Sequence, residues 1–155
     1  MCDLRCNAGS TNYKRTERSK ESMITQTETE NIATVKRGFE AFAARDMAAL
    51  SDIFDRHVRW HAEKTGVLAG EYDGRDALFA SFAQLGKETD GTFTSKPIAF
   101  AATGDEVYVN ATVTGKRKGR SVEQDEVLVF TLKDGRVGKV RLFLRNHAAA
   151  ELFWS

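Results

Sequence analysis

Residues 92–144 read TFTSKPIAFAATGDEVYVNATVTGKRKGRSVEQDEVLVFTLKDGRVGKVRLFL, and this stretch decides the fold of the 155-residue chain. Four segments in it, 92–102, 106–114, 121–132 and 137–144, are rich in the β-branched and aromatic residues typical of strands. The connections between them are short and contain glycine and aspartate, as turns between antiparallel neighbours do. The sequence therefore predicts a four-stranded antiparallel meander. Pro97, the only proline, predicts an edge, a bulge or a bend in its first strand.

The region before the meander has helical periodicity. Apolar residues recur at spacings of three and four in 31–44, 47–54 and 75–86, which predicts three amphipathic helices. Asp46 stands where an N-cap is expected, and Gly86 marks the end of the third helix. A change to a period of two in 58–62 predicts a short strand, followed by a loop over 63–73. A last short helix is expected over 147–152.

These elements predict an α+β fold. Three N-terminal helices pack on one face of a strongly curved antiparallel sheet, and a short helix closes the chain, because no alternation of strand, helix and strand occurs. Neither GxGxxG after a strand nor GxxxxGK[ST] is present, so the nucleotide-binding folds that depend on them are not predicted.

The N-terminal residues differ in character from the rest. Residues 1–24 are mostly polar and show no apolar period, which predicts a disordered tail, with Met23 as an alternative start of translation. The domain is expected to span 28–155. Both cysteines, Cys2 and Cys6, lie in the tail, so the folded part is predicted to lack an internal disulfide. Without the apolar stretch of a secretory signal, a cytoplasmic location is expected.

Charge and spacing exclude several classes of function. The 23 basic and 22 acidic residues leave no strongly basic surface for nucleic acid. No window approaches the ~20 apolar residues needed to cross a bilayer, so no membrane association is expected. His57 and His61 are ~13 Å apart if both lie on one strand, too far to share a metal ion. We therefore predict neither a metal site nor a cofactor.

Four local motifs carry a resemblance to a known superfamily. They are FEAFAARDMAAL at 39–50, VRWH at 58–61, GEYDGRDA at 70–77 and DGRV at 134–137. In this order, and with the predicted order of elements, residues 28–155 resemble the SnoaL-like and ketosteroid isomerase-like members of the nuclear transport factor 2-like superfamily. That resemblance implies a cone-shaped fold.

The resemblance also implies a function and a partner. The cone encloses an apolar pocket suited to a small hydrophobic ligand, and members pair through the outer face of the sheet, which implies a homodimer. One interpretation is an isomerase, cyclase or hydrolase that uses general acid/base chemistry. The alternative is a non-catalytic module of the same fold for ligand binding or dimerisation, since the fold hosts both.

The family's known catalytic positions are not filled in this sequence. The base of the ketosteroid isomerases corresponds to Ala62, and their oxyanion donors correspond to positions near Gly38 and Val127. The acid of the SnoaL-type cyclases corresponds to Asn146, an amide that holds a substrate by hydrogen bonds but does not transfer protons near neutral pH. His147 could take its place if its ring turns inward.

The remaining candidates are polar or aromatic residues expected near the pocket. His61 is the predicted proton carrier, since a histidine titrates near neutral pH, and Asp125 is the second predicted catalytic residue. Alternation leaves open whether Trp60 or His61 faces the pocket, and whether Asp125 or Glu126 does. The residues predicted to bind substrate are Trp60, Asn110, Glu126, Arg141, Phe143, Asn146 and His147.

Overall fold

The computed structural model describes residues 10–63 and 65–155. Within them, the helices are α1 (Ser10–Ala44), α2 (Met47–Ile53), α3 (Arg75–Glu88) and α4 (His147–Trp154). The strands are β1 (Phe54–Ala62), β2 (Gly70–Asp73), β3 (Thr94–Thr103), β4 (Glu106–Arg117), β5 (Arg120–Lys133) and β6 (Arg136–Leu144). The predicted α+β architecture is confirmed.

One curved sheet of six strands, in the order β2-β1-β6-β5-β4-β3, forms the body of the protein. The predicted meander is present, because β3, β4, β5 and β6 pair in sequence as antiparallel neighbours. β1 lies beside β6 in parallel, so the sheet is mixed at this one junction. Pro97 lies in edge strand β3, and the register shifts between Pro97 and Ala99, as a bulge requires.

The first helices cover one face of the sheet. Alternate residues of β4, namely Val107, Val109 and Ala111, are fully buried and point toward that face. They join one hydrophobic cluster with Val35 of α1 and Leu78 of α3. The core therefore lies between the helices and the concave side of the sheet.

Helix boundaries follow local capping chemistry. The carboxylate of Asp46 accepts a hydrogen bond from the backbone N–H of Ala49, which confirms the predicted N-cap of α2. α3 runs two residues past Gly86, to Glu88, and Gly91 follows with a positive φ. α4 begins at His147 as predicted and continues to Trp154.

The largest differences from the predicted element bounds concern α1, β1 and β2. α1 begins at Ser10, 21 residues before the predicted start of the first helix, while residues 1–9 of the predicted tail lie outside the described residues. β1 begins at Phe54, directly after α2, and residues 70–73 of the predicted loop form β2. β2 pairs with β1 through Tyr72 and Trp60, which explains why the loop becomes a strand. No helix in the described part of the chain is apolar enough over a sufficient length to span a membrane.

Candidate active site

A small cavity lies between the helices and the concave face of the sheet. Its free volume is about 60 Å³. Its walls come from α1 (Phe39 and Phe42), from β1 (Trp60), and from the inner face of β5 (Leu128 and Phe130). The cavity is therefore almost entirely apolar, as pockets for small organic molecules usually are.

Glu126 is the one charged side chain among the described residues that line this cavity. It lies on β5 two residues before Leu128, so the strand's alternation places both on the inner face. Only 5% of Glu126 is exposed. The hydroxyl of Ser95, on β3, donates a hydrogen bond of 3.0 Å to Oε1 of Glu126.

Burial sets the protonation of this carboxyl group. Removal from water raises the pKa of Glu126 from 4.5 to about 7, and the hydrogen bond from Ser95 opposes part of this rise. The group therefore changes charge near neutral pH, which is the property that a general acid or base requires. In an apolar cavity the carboxyl group is positioned to exchange a proton with a bound molecule.

Asp125 lies on the opposite face of the same strand. Thr112 Oγ1 donates a hydrogen bond of 2.8 Å to Asp125 Oδ1, and Arg145 contacts Oδ2 at 3.0 Å. The catalytic role predicted for Asp125 does not fit this position, because strand alternation turns the side chain away from the cavity. Of the two carboxylates that the sequence left open, Glu126 faces the cavity.

Trp60 and His61 likewise lie on opposite faces of their strand, β1. Trp60 lines the cavity, and its Nε1 donates a hydrogen bond of 3.0 Å to the carbonyl of Leu68. His61 points to the other face, where its Nδ1 lies 3.2 Å from Oε1 of Glu71 and its side chain is 54% exposed. The predicted role of proton carrier inside the cone does not fit His61 in this position, whereas Trp60 is placed to contact a ligand.

Three other predicted binding residues lie on the outer face of the sheet. Asn110 alternates with buried Val109 and Ala111 and so points outward. Arg141 forms a 2.9 Å ion pair with Glu106, and Phe143 is 40% exposed. The structure does not bring these residues to the cavity.

The last two predicted binding residues lie at the start of α4. Asn146 Oδ1 accepts a hydrogen bond of 3.0 Å from the backbone N–H of Ala149, so its amide serves the helix N-terminus. His147 Nε2 lies 2.9 Å from Oε2 of Glu63 and ties α4 to the end of β1. Neither residue lines the cavity, because both side chains are held by these local contacts.

Ser95 is the polar cavity residue that sequence reasoning missed. The bulge after Pro97 changes the parity of β3, because Ser95 pairs with Val113 and Phe100 with Val109. Those two valines share a face of β4, so Ser95 and Phe100 both point inward despite an odd separation. Pro97 signalled the irregularity, but its register could not be read from the sequence.

A larger groove adjoins the cavity. It has a volume of about 690 Å³ and lies between the α1–α2 junction, the end of α3 and the start of β3. Phe42, Leu50, Phe82 and Ser95 line both spaces. The rings of Phe42 and Phe82 meet edge to face with centroids 5.2 Å apart. These two rings form part of the boundary between the cavity and the groove.

Metal ligation is not evident in the same region. Among the residues that the structure describes, no group of three or more histidine, cysteine, aspartate or glutamate side chains is arranged to hold a metal ion. Of the described residues that line the cavity, Glu126 and Ser95 are the two with a carboxyl or hydroxyl group.

Comparison with models of protein families identifies one family that matches this chain. The model of the SnoaL-like domain matches residues 35–140, which include the C-terminal end of α1, all of β1 to β5 and the cavity carboxylate. The chain belongs to the SnoaL-like domain family. The predicted membership of the nuclear transport factor 2-like superfamily is thus confirmed.

The matches between this SnoaL-like protein and individual relatives extend over nearly the full length of those relatives. An uncharacterised protein of Mycobacterium tuberculosis is 28% identical over 130 residues, which are 83% of this chain and 99% of that protein. The structure of Bal32a, from a soil-derived mobile gene cassette, has a TM-score of 0.80 at 33% identity and covers 83% of this chain and 99% of its own. An NTF2-like protein of Burkholderia xenovorans has a TM-score of 0.71 at 25% identity, with coverage of 83% and 98%.

Proposed function

We propose that this SnoaL-like protein binds a small hydrophobic molecule in its cavity and that Glu126 transfers a proton to or from it. The observation that carries the proposal is the placement of one titratable carboxyl group, 5% exposed, among apolar walls. As a base, Glu126 would accept a proton from the bound molecule, and as an acid it would return a proton to another atom of that molecule. Isomerisation, cyclisation and hydrolysis all use such steps.

Glu126 takes the part that the sequence had assigned to His61. Its pKa of about 7 means that both protonation states are populated near neutral pH. The apolar surroundings also strengthen any hydrogen bond that the carboxyl group makes with a carbonyl or ether oxygen of the ligand. Both effects favour general acid/base chemistry at this residue.

The experiment compares conversion by wild type, Glu126→Gln and Asp125→Asn. Purified proteins are incubated with a panel of hydrophobic ketones, epoxides and ring compounds, and mass spectrometry and chiral chromatography detect products. Asp125→Asn is the matched control, because it removes a neighbouring carboxylate from the outer face of the same strand. We expect wild type and Asp125→Asn to convert the same compound. The rate of conversion by Glu126→Gln should be at least about 100-fold lower.

A second candidate function is a non-catalytic binding module. The small, closely lined cavity favours it, since a volume of about 60 Å³ leaves little room around a substrate. In that case compounds from the panel stabilise wild type and Glu126→Gln alike and are recovered unchanged. That result would replace the catalytic proposal with the binding module.

We also propose that the protein forms a homodimer through the outer face of the sheet. Val127 and Phe143 pair across β5 and β6 there, and both are 40% exposed. The ion pairs Arg141–Glu106 and Arg145–Asp125 flank them. An apolar centre with a polar rim is the usual anatomy of a protein interface.

The oligomeric state tests this second proposal. Light scattering after size exclusion should give a dimer for wild type and a monomer for Val127→Glu, which places a charge in the apolar centre. Ala33→Glu, an exposed substitution on α1, serves as the charge control. A monomeric wild type would refute the homodimer.

A further inference from the structure

The cavity and the groove differ tenfold in size and share part of their walls. The cavity, at about 60 Å³, has room for roughly four water-sized groups. The groove, at about 690 Å³, lies within the range of sites that hold whole small molecules. A ligand that reaches Glu126 therefore places only one end in the cavity, and the rest of its body lies in the groove.

The two compartments also differ in charge. Glu126 makes the cavity unfavourable for an anion, because a second negative charge close to this carboxyl group is repelled. The groove is lined by the cations Arg45, Lys87 and Lys96 against the single acid Asp90. Arg45 donates a hydrogen bond of 2.7 Å to the carbonyl of Gly91, which fixes it to the turn after α3. Lys87 has an exposed side chain, so it can approach a ligand in the groove, whereas strand alternation turns the side chain of Lys96 to the outer face of the sheet.

The walls of the groove suit an apolar body between these two ends. Phe79 and Phe82 stack with centroids 6.0 Å apart and an interplanar angle of 24°, and Phe93 lines the same groove. Such rings bury flat or extended hydrocarbon without requiring hydrogen bonds. The order of surfaces from the inside outward is therefore a carboxyl group, aromatic walls and the exposed cations Arg45 and Lys87.

We infer that the ligand is an elongated amphipathic acid, whose neutral end enters the cavity beside Glu126 and whose carboxylate lies in the groove near Arg45 and Lys87. This inference rests on the proposed function, since it takes the cavity as the place where the neutral end is bound. It adds the chemical class of the ligand and the direction in which the ligand lies.

Matched ligands test the charge preference. Isothermal titration calorimetry is run with straight-chain alkanoic acids of graded chain length and with the corresponding primary amides. We expect wild type to bind the best acid about five- to tenfold more tightly than its amide, as two exposed cations allow. The preference should shrink as salt is raised, because exposed charges are screened.

Variants that remove a lysine charge test whether the preference for the acid over the amide arises in the groove. In Lys87→Met, the affinity for the acid should fall toward that for the amide, while the affinity for the amide stays within about twofold. Lys96→Met is the matched control for net charge and should behave as wild type, because Lys96 pairs with Thr112 and its side chain lies on the outer face of the sheet. An unchanged preference for the acid in Lys87→Met would overturn the inference.

The outcomes separate this inference from the proposed function. Equal binding of acid and amide by wild type would overturn the inference and leave the small-molecule site in place. Absence of binding for both series would refute the cavity as a ligand site and the inference with it. A preference for the acid that shrinks in Lys87→Met and not in Lys96→Met supports both.

Discussion

Ser95 and Glu126 are joined by a 3.0 Å hydrogen bond across the width of strand β4. Ser95 lies on edge strand β3 and Glu126 on β5, and the bond exists because the bulge after Pro97 turns Ser95 inward. The hydroxyl is the one described hydrogen-bond partner of the cavity carboxyl group. Burial and this bond act on the pKa of Glu126 in opposite directions, so the pair determines the pH at which the cavity changes charge.

Protein stability should fall as the pH rises from 4.5 to 7. Glu126 binds its proton more tightly in the folded state, where its pKa is about 7, than in the unfolded state, where it is about 4.5. Protonation therefore stabilises the fold below pH 4.5, and the stabilisation is lost as the pH rises through the folded pKa. The loss is roughly 3 kcal/mol of unfolding free energy.

Urea unfolding between pH 4.5 and 8 measures this contribution. Wild type should lose roughly 3 kcal/mol of unfolding free energy relative to Glu126→Gln over that range, because the amide does not titrate. Asp125→Asn, on the outer face, should keep nearly the wild-type dependence. A Glu126→Gln profile parallel to that of wild type would show that the carboxyl group is not desolvated in solution.

Removing the Ser95 hydroxyl should raise the pKa of Glu126 further. A hydroxyl that donates to the ionised carboxylate stabilises the charged form, so its loss favours the neutral acid. We expect Ser95→Ala to move the titration midpoint of Glu126 upward by about one pH unit. Carbon NMR of the labelled glutamate side chains measures the midpoint directly.

Thr112→Val provides the matched control for that experiment. It removes a hydroxyl that donates to the neighbouring carboxylate Asp125 on the other face of the sheet. The Glu126 midpoint should stay unchanged in this variant. A downward movement of the midpoint in Ser95→Ala would contradict the assigned direction of the hydrogen bond.

The sequence predicted the elements because their patterns depend on local spacing. The apolar period of 31–44 and the Asp46 cap required no knowledge of distant contacts, and both agree with the structure. The extension of α1 to Ser10 was missed because the polar residues upstream have no apolar period, although many of them are compatible with a helix. Periodicity detects buried faces rather than helical backbone.

To predict which side chains enter the cavity, one must know which face of each strand is buried. On β5, Val127 and Val129 face outward opposite Leu128 and Phe130, so apolar residues stand on both sides and the alternation selects neither. On β1 the signal was present: Val58, Trp60 and Ala62 are apolar and buried, while the intervening Arg59 and His61 are exposed. Weighing the whole strand would have placed Trp60 inside.

Arg117 should make a large contribution to stability through α4. Its Nε forms a 3.0 Å ion pair with Glu88, its side chain is only 10% exposed, and its Nη1 donates to the carbonyls of Trp154 and Ser155. Arg117→Met leaves Glu88 and the helix carbonyls without this partner. We expect a loss of about 2–3 kcal/mol in urea unfolding.

Arg120→Met is the corresponding control. Arg120 also donates to carbonyls at the end of α4, at Leu152 and Ser155, but it is exposed, where water can replace the bonds. We expect a loss below about 1 kcal/mol. Equal losses in the two variants would show that burial of Arg117 contributes nothing beyond the hydrogen bonds.

The contact between α4 and the loop after β1 should be sensitive to a single methyl group. A Cβ at Gly66 would lie 2.5 Å from Nε1 of Trp154, and Gly66 has a φ of +96°. Gly70 has nearly the same φ, +95°, but nothing lies within 4 Å of its Cβ position. The pair therefore separates backbone strain from the loss of packing against Trp154.

Gly70→Ala should cost about 1–2 kcal/mol from the unfavourable φ alone. Gly66→Ala should cost about 1–3 kcal/mol more, since the new methyl group displaces the indole of Trp154. Leu68 of the same loop lines the cavity, so the larger displacement should also weaken ligand binding in Gly66→Ala but not in Gly70→Ala. Urea unfolding and calorimetry on the two variants measure both effects, and equal stability losses would refute the packing of Trp154 on this loop.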